Sequence, residues 1–200
     1  MAEPHARAQE RMGGGEPIHL PPWAVVTATR VGHIARVVAL VETWAAARAV
    51  GAVETDRWRR AALLHDALRD AEPGVLARYA PQGTWPAQLW HGPAAAGAAR
   101  ADGERDPGVL DALTYHSIGY ASWDDAGRML YLADWLEPGR SHERALLDTL
   151  AERVPQDPAG ALREVAVHRI GWVIHRHRPL ARETWEFWNS LAAAGSSSPA

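Results

Sequence analysis

The sequence predicts an all-α protein, one helical bundle without significant sheet. Apolar residues recur at helical spacing through most of the chain, and strictly alternating β-branched runs are absent apart from short Val pairs. Prolines and glycines also fall at intervals that suit the starts and stops of short helices. A chain of 200 residues, 47% of them hydrophobic, can bury one sizeable core. One domain is therefore expected over residues 23–191, between a flexible leader at 1–22 and a disordered tail of small residues at 192–200.

The first helix is expected at Ala24–Val50, with Gly51 as the residue just past its end. The second, Thr55–Arg69, has Thr55 and Asp56 as candidate caps. A short helix at Gly74–Tyr79 precedes Pro93–Ala101 and Pro107–Ser117, each opening on a proline that suits a first turn. Ala126–Leu136 is stopped by Pro138-Gly139. His142–Val154 follows, then Pro158–His177, which is stopped by Pro179, and finally Arg182–Leu191.

Composition excludes several classes of function. The basic residues, all Arg, number 21 against 24 acidic ones, a formal charge of −3 that gives no general affinity for nucleic acid or anionic lipid. No stretch approaches the ~20 apolar residues of a membrane span, and the first 22 residues contain no apolar block of signal-peptide length, so a cytoplasmic protein is expected. Without Cys there is no thiolate ligand or nucleophile, and any metal must be held by His and carboxylate.

Several polar residues sit where core residues belong. A turn of about 100° per residue aligns Trp58, Ala61, Ala62, His65 and Leu68 on one stripe, with Asp66 at its margin. His33 falls on the stripe of Val26, Val37, Leu40 and Trp44. His116 lies with Val109, Ala112 and Leu113, and Asp134 with Leu130 and Tyr131. Burying each group alone costs several kcal/mol, whereas one shared cation cluster satisfies them together. His91, just before a helix start, completes a set of four imidazoles and two carboxylates. That inventory suits two metals sharing a carboxylate. Nitrogen and oxygen ligands favour Fe, Mn or Zn without choosing among them.

The order His33, His65-Asp66, Asp134 resembles the metal signature of the HD-domain phosphohydrolase superfamily. Its surroundings are more specific: Leu64-His65-Asp66-Ala67-Leu68-Arg69-Asp70, Trp90-His91-Gly92-Pro93, Tyr115-His116-Ser117-Ile118-Gly119 and Ala133-Asp134-Trp135-Leu136-Glu137-Pro138-Gly139-Arg140. These resemble the YqeK branch, the bacterial symmetrical diadenosine tetraphosphate hydrolases, from about Arg30 to a closing Thr184-Trp185-Glu186-Phe187-Trp188-Asn189 segment. The resemblance implies a centre of two divalent or mixed-valent metals of the di-iron type, with His33, His65, Asp66 and Asp134 on one metal, His91 and His116 on the other, and Asp66 bridging. It implies attack by a metal-bridging hydroxide that cuts diadenosine tetraphosphate into two ADP.

Arg69 stands where that family usually has Lys, and with Asp66 it is expected to serve catalysis; its guanidinium is expected along the phosphate groove, four residues after His65 on the same helix side. Arg140 and Ser117 are further expected phosphate contacts, Arg30 is an expected substrate-binding residue, and Tyr120 or Trp135 is expected to stack on an adenine. His168, His175 and His177, among Arg169, Arg176 and Arg178 and without a carboxylate, read as a basic solvated face. Arg57, Arg59 and Arg60 read as surface. Two other functions fit the same pattern, a phosphohydrolase of mononucleotides or nucleoside triphosphates and a non-catalytic nucleotide-sensing module. The expected partner is a small nucleotide, with the protein a monomer or homodimer.

Overall fold

Nine α-helices follow one another through residues 18–80, 85–139 and 143–196, the residues described in the computed structural model. They are α1 (Ala28–Ala47), α2 (Ala52–Leu64), α3 (Pro73–Tyr79), α4 (His91–Ala101), α5 (Pro107–Tyr115), α6 (Asp125–Leu136), α7 (Arg144–Arg153), α8 (Pro158–His175) and α9 (Arg182–Ser196). A single 3-10 turn, Ala87–Leu89, leads into α4. No strand occurs among the described residues, and no described helix is long and apolar enough to cross a membrane.

Helix α6 is the most enclosed element and packs against α1, α2, α5, α7 and α8. Trp44, Trp58, Tyr131 and Phe187 are fully buried around it together with Ile34, Leu113 and Leu132. Each such side chain contributes roughly 1.5–3 kcal/mol of hydrophobic stabilisation. Asp106, Asp124 and Asp157 accept from the first-turn N–H groups of α5, α6 and α8, and Pro107 and Pro158 occupy first-turn positions as expected.

Several boundaries differ from the sequence expectation. The chain enters α1 at Ala28 rather than Ala24: Thr27 caps the helix, and Val25 N donates to Ala67 O across 2.7 Å. Ile18 and Leu20 pack on the core, so the end of the expected leader is part of the folded body. At the far end of α1, Ala49 adopts φ 51°, Val50 N donates to Ala45 O and Ala49 N to Ala46 O, the paired bonds of a Schellman ending. Gly51 is therefore not the residue past that end but the extended N-cap of α2, and Thr55 and Asp56 lie inside α2 rather than capping it. Helix α8 ends at His175 instead of His177. Helix α9 runs past Leu191 to Ser196 through Ala192-Ala193-Ala194, taking in residues expected in the tail, because alanine is the best helix former.

The most consequential difference is at His65. Helix α2 closes at Leu64, and residues 65–70 continue as tight turns in which Ala67 N donates to Leu64 O, Arg69 N to Asp66 O and Ala71 N to Leu68 O. In a continuing α-helix Ala62 O would accept from Asp66 N; His65 Nδ1 takes that carbonyl at 2.8 Å. His116 does the same to Leu113 O at 2.8 Å, and α5 ends at Tyr115 rather than Ser117.

Gly92 lets the helices carrying the site approach. A Cβ there would lie 2.8 Å from Thr114 O and 2.9 Å from Leu113 O, backbone atoms at the end of α5 that cannot swing aside. Gly92→Ala is expected to force α4 from α5, with an overpacking cost of about 1–3 kcal/mol. Chemical denaturation measures the cost, and wild-type stability in that variant would show that the approach is not tight.

Candidate metal centre

His33 comes from the buried face of α1, His65 and Asp66 from the exit of α2, His91 from the first turn of α4, His116 from the exit of α5, and Asp134 from α6. All six are buried. His91, expected in a loop before its helix, is that helix's first residue.

The four imidazole Nε2 atoms converge on the Asp66 carboxylate, which turns one oxygen toward each of two nests. Asp66 Oδ2 lies 3.7 Å from His33 Nε2 and 3.6 Å from His65 Nε2. Asp66 Oδ1 lies 3.4 Å from His91 Nε2 and 3.5 Å from His116 Nε2. Within the first nest the two imidazole nitrogens are 3.3 Å apart, and Asp134 Oδ1 is 3.3 Å from His33 Nε2. Within the second they are 3.1 Å apart, with Ser117 Oγ 3.1 Å from His116 Nε2 and 3.3 Å from His91 Nε2. His33, His65 and Asp66 form one group able to hold an ion, and Asp66, His91 and His116 another.

Each imidazole is oriented through its other nitrogen. Nδ1 of His65, His116 and His91 lies against the carbonyl three residues earlier, Ala62, Leu113 and Gln88, at 2.8, 2.8 and 3.1 Å. Nδ1 of His33 lies 3.2 Å from Glu137 Oε1. With the proton on Nδ1, Nε2 presents its lone pair inward, the tautomer a metal ligand requires. Side-chain chemistry and orientation thus both fit metal binding.

Glu137, Arg36 and Arg169 were not anticipated as site residues. Glu137 is buried, accepts from Arg36 Nε at 2.5 Å and from Gly139 N at 2.7 Å, and backs His33. Its signal was present in the Asp134-Trp135-Leu136-Glu137-Pro138 string: three residues after a ligand, it falls near the same side of the helix exit. Arg169 corrects the expectation of a solvated basic face, since its side chain is only 12% exposed and reaches Asp134 Oδ2 at 3.3 Å. His175 and His177 are exposed. Arg57 is likewise not bare surface: it pairs with Glu54, Asp106 and Asp124 and joins α2 to the starts of α5 and α6.

The expected substrate contacts are dispersed. Arg30 Nη1 donates to Asp66 Oδ2 at 2.7 Å, beside the first nest. Arg69 is exposed and reaches the edge of the second nest, Nη1 lying 3.2 Å from His91 Nδ1 and 3.1 Å from Gln88 O. It does so from the turn after α2, not from a helix face as expected. Tyr120 stacks on Tyr115 with centroids 4.2 Å apart, and Trp135 lies beneath the Arg169 guanidinium at 5.4 Å. Arg140 lies outside the described residues.

The HD domain family matches residues 30–139, more than half of the chain and the segment that carries all six clustered side chains. The chain belongs to the HD domain family. Within this HD protein, 107 residues are 25% identical to a symmetrical bis(5'-nucleosyl)-tetraphosphatase of Bacillus subtilis, covering 53% of this chain and 56% of the relative. The corresponding protein of Halalkalibacterium halodurans is 26% identical over 105 residues, 52% of this chain and 55% of the relative. The matched segment therefore spans about half the length of these relatives. A crystal structure from Clostridium acetobutylicum, described as a "predicted HD superfamily hydrolase involved in NAD metabolism", superposes with a TM-score of 0.73 at 24% identity, over 84% of this chain and 92% of that one. That likeness shows the fold.

Charge among these side chains is set by burial against near neighbours. Burial lowers His65 from 6.5 to about 4, and burial with the adjacent His116 lowers His91 from 6.5 to about 3. Burial also disfavours charge on His33, but its bonds to Asp134 and Glu137 prevail and raise it from 6.5 to about 9. Asp66 is held far below the usual carboxylate range: burial opposes this, and the surrounding imidazoles of His65, His116 and His91 outweigh it. The raised His33 contributes stability that is present below pH 6.5 and lost as pH rises through 9. The lowered His65 and His91 contribute stability that is present above pH 6.5 and lost as pH falls through 4 and 3. Thermal melting in chelator is therefore expected to give greatest stability near pH 6.5, and His33→Gln to remove the alkaline decline. A melting temperature that climbs steadily through pH 9 would contradict this charge assignment.

Proposed function

We propose that this HD hydrolase cuts diadenosine tetraphosphate symmetrically into two ADP at a centre of two metal ions, with Fe favoured and Mn or Zn as alternatives. The observation that carries the reading is the Asp66 carboxylate with one oxygen toward each imidazole pair. The substrate class is supported by the names of the two tetraphosphatase relatives.

His33, His65, Asp66 and Asp134 would hold one ion, and Asp66, His91 and His116 the other. When bound, such a pair supplies a Lewis acid for a phosphoryl oxygen and lowers the pKa of a shared water toward neutrality. The chain's own residues then have distinct tasks. The Nδ1 hydrogen bonds hold the four imidazoles neutral at Nε2 and fixed in direction. Arg69, exposed at the lip of the second nest, offers a planar donor fork to a polyphosphate oxygen, and Arg30 offers a second cation beside the first nest. Ser117 Oγ, within reach of both second-nest imidazoles, can donate to an oxygen bound there. No side-chain nucleophile is needed, and Asp66 serves as a shared ligand.

Metal content and nucleotide products measured on the same sample test the reading. Wild-type protein is expected to give ADP as the only nucleotide product from diadenosine tetraphosphate. His65→Ala and Asp134→Ala are each expected to lose metal, and to lose activity by more than the roughly 10–100-fold that removal of an outer partner costs. AMP with ATP as products, or turnover of mononucleotides alone, would overturn the substrate assignment, and full activity in both variants would overturn the site.

A further inference from the structure

Arg169 lies on α8, outside the segment that matches the HD family, yet its guanidinium ends between the two nests. Nη1 donates to Tyr131 O at 3.1 Å and lies 3.3 Å from Asp134 Oδ2. Nη2 donates to His116 O at 3.1 Å and to Ser117 O at 3.4 Å. The guanidinium carbon sits 4.0 Å over the Tyr131 ring. One end of the fork thus holds the α6 segment that carries Asp134, and the other holds the turn that carries His116 and Ser117.

We infer that Arg169 is a positioning residue that fixes the two halves of the metal centre relative to each other. The inference rests on the two-ion reading of the nests. Both terminal nitrogens already have protein acceptors, so the group is committed to holding the site rather than available to a phosphate. Burying a guanidinium is costly, and a well-packed apolar side chain fills such a space at least as stably. What an apolar chain lacks is a rigid planar fork that reaches one acceptor set from each nest. The working unit therefore extends beyond residues 30–139 to α8.

The test uses the full-length chain with Arg169→Lys and Arg169→Met, titrated with Mn²⁺ for affinity and stoichiometry, with Co²⁺ for the ligand-field spectrum, and melted without metal. A lysine ammonium concentrates its charge and its three donors on one nitrogen that cannot span both acceptor sets, and the Asp134 charge draws it in preference to the neutral carbonyls of residues 116 and 117. Arg169→Lys is therefore expected to keep one ion at close to wild-type affinity while weakening the second by roughly 10–100-fold. Arg169→Met is expected to weaken both. If Met at this position prevents folding, the separation of the two affinities in the Lys variant carries the test. Two ions bound by the Lys variant with wild-type affinity and spectrum would overturn the inference. So would equal weakening of both sites in step with a lowered melting temperature, the sign of a merely structural role. Wild-type protein that takes up no second ion would remove the two-ion reading and this inference with it.

Discussion

The arrangement of this protein turns on one buried carboxylate. Asp66 is 4% exposed and has imidazole nitrogens on two sides, a placement that an uncompensated anion in a helical core could not sustain. Three other segments of chain, the middle of α1, the start of α4 and the exit of α5, each deliver an imidazole to it, and α6 sets Asp134 against His33. The helix packing is consequently not interchangeable with other packings of the same apolar surfaces. Moving any one helix by a turn would leave buried groups without partners. The small residues of α4, all but two of its Ala and Gly buried, and the glycine at position 92 among them serve that end by letting α4 lie close to α5.

The same hydrogen bonds that orient the ligands also shape the local backbone. His65 and His116 each use Nδ1 to occupy the carbonyl three residues earlier, and at each the regular helix gives way to turns. Ending the helix there releases Asp66 and Ser117 from helical register, so both can face the cleft beside the preceding histidine. His33 follows a different rule. It stays inside α1 and takes its orientation from Glu137, itself held by Arg36 and by the backbone of Gly139. In the first nest His33 thereby rests on a charged side chain, whereas His65 and both imidazoles of the second rest on main-chain carbonyls. A metal-ligand set can be tuned by either kind of partner.

Much of this is legible in the amino-acid sequence. The helical class and the order of the nine helices follow from apolar periodicity and from prolines at helix starts. The six clustered side chains stand out because His and Asp interrupt faces otherwise made of Val, Leu, Ala and Trp. Periodicity does not show where a helix stops when a side chain competes for its hydrogen bonds, so the expected helices run past the exits at His65 and His116. Nor could it foresee Ala49 taking the left-handed position in place of Gly51. Glu137 is legible only through its spacing from Asp134, because glutamate as a residue type is mostly exposed. Arg169 is hidden because its contacts to Tyr131, Asp134 and His116 lie 35 or more positions away in sequence.

The central claim is that metal ions on either side of Asp66 reconcile these buried groups. Anomalous X-ray scattering from crystals of the Mn²⁺-loaded protein tests it most directly. Two peaks are expected, about 3.5–4 Å apart, one on each oxygen of the Asp66 carboxylate. Density at neither oxygen, or a lone peak remote from Asp66, would contradict the account.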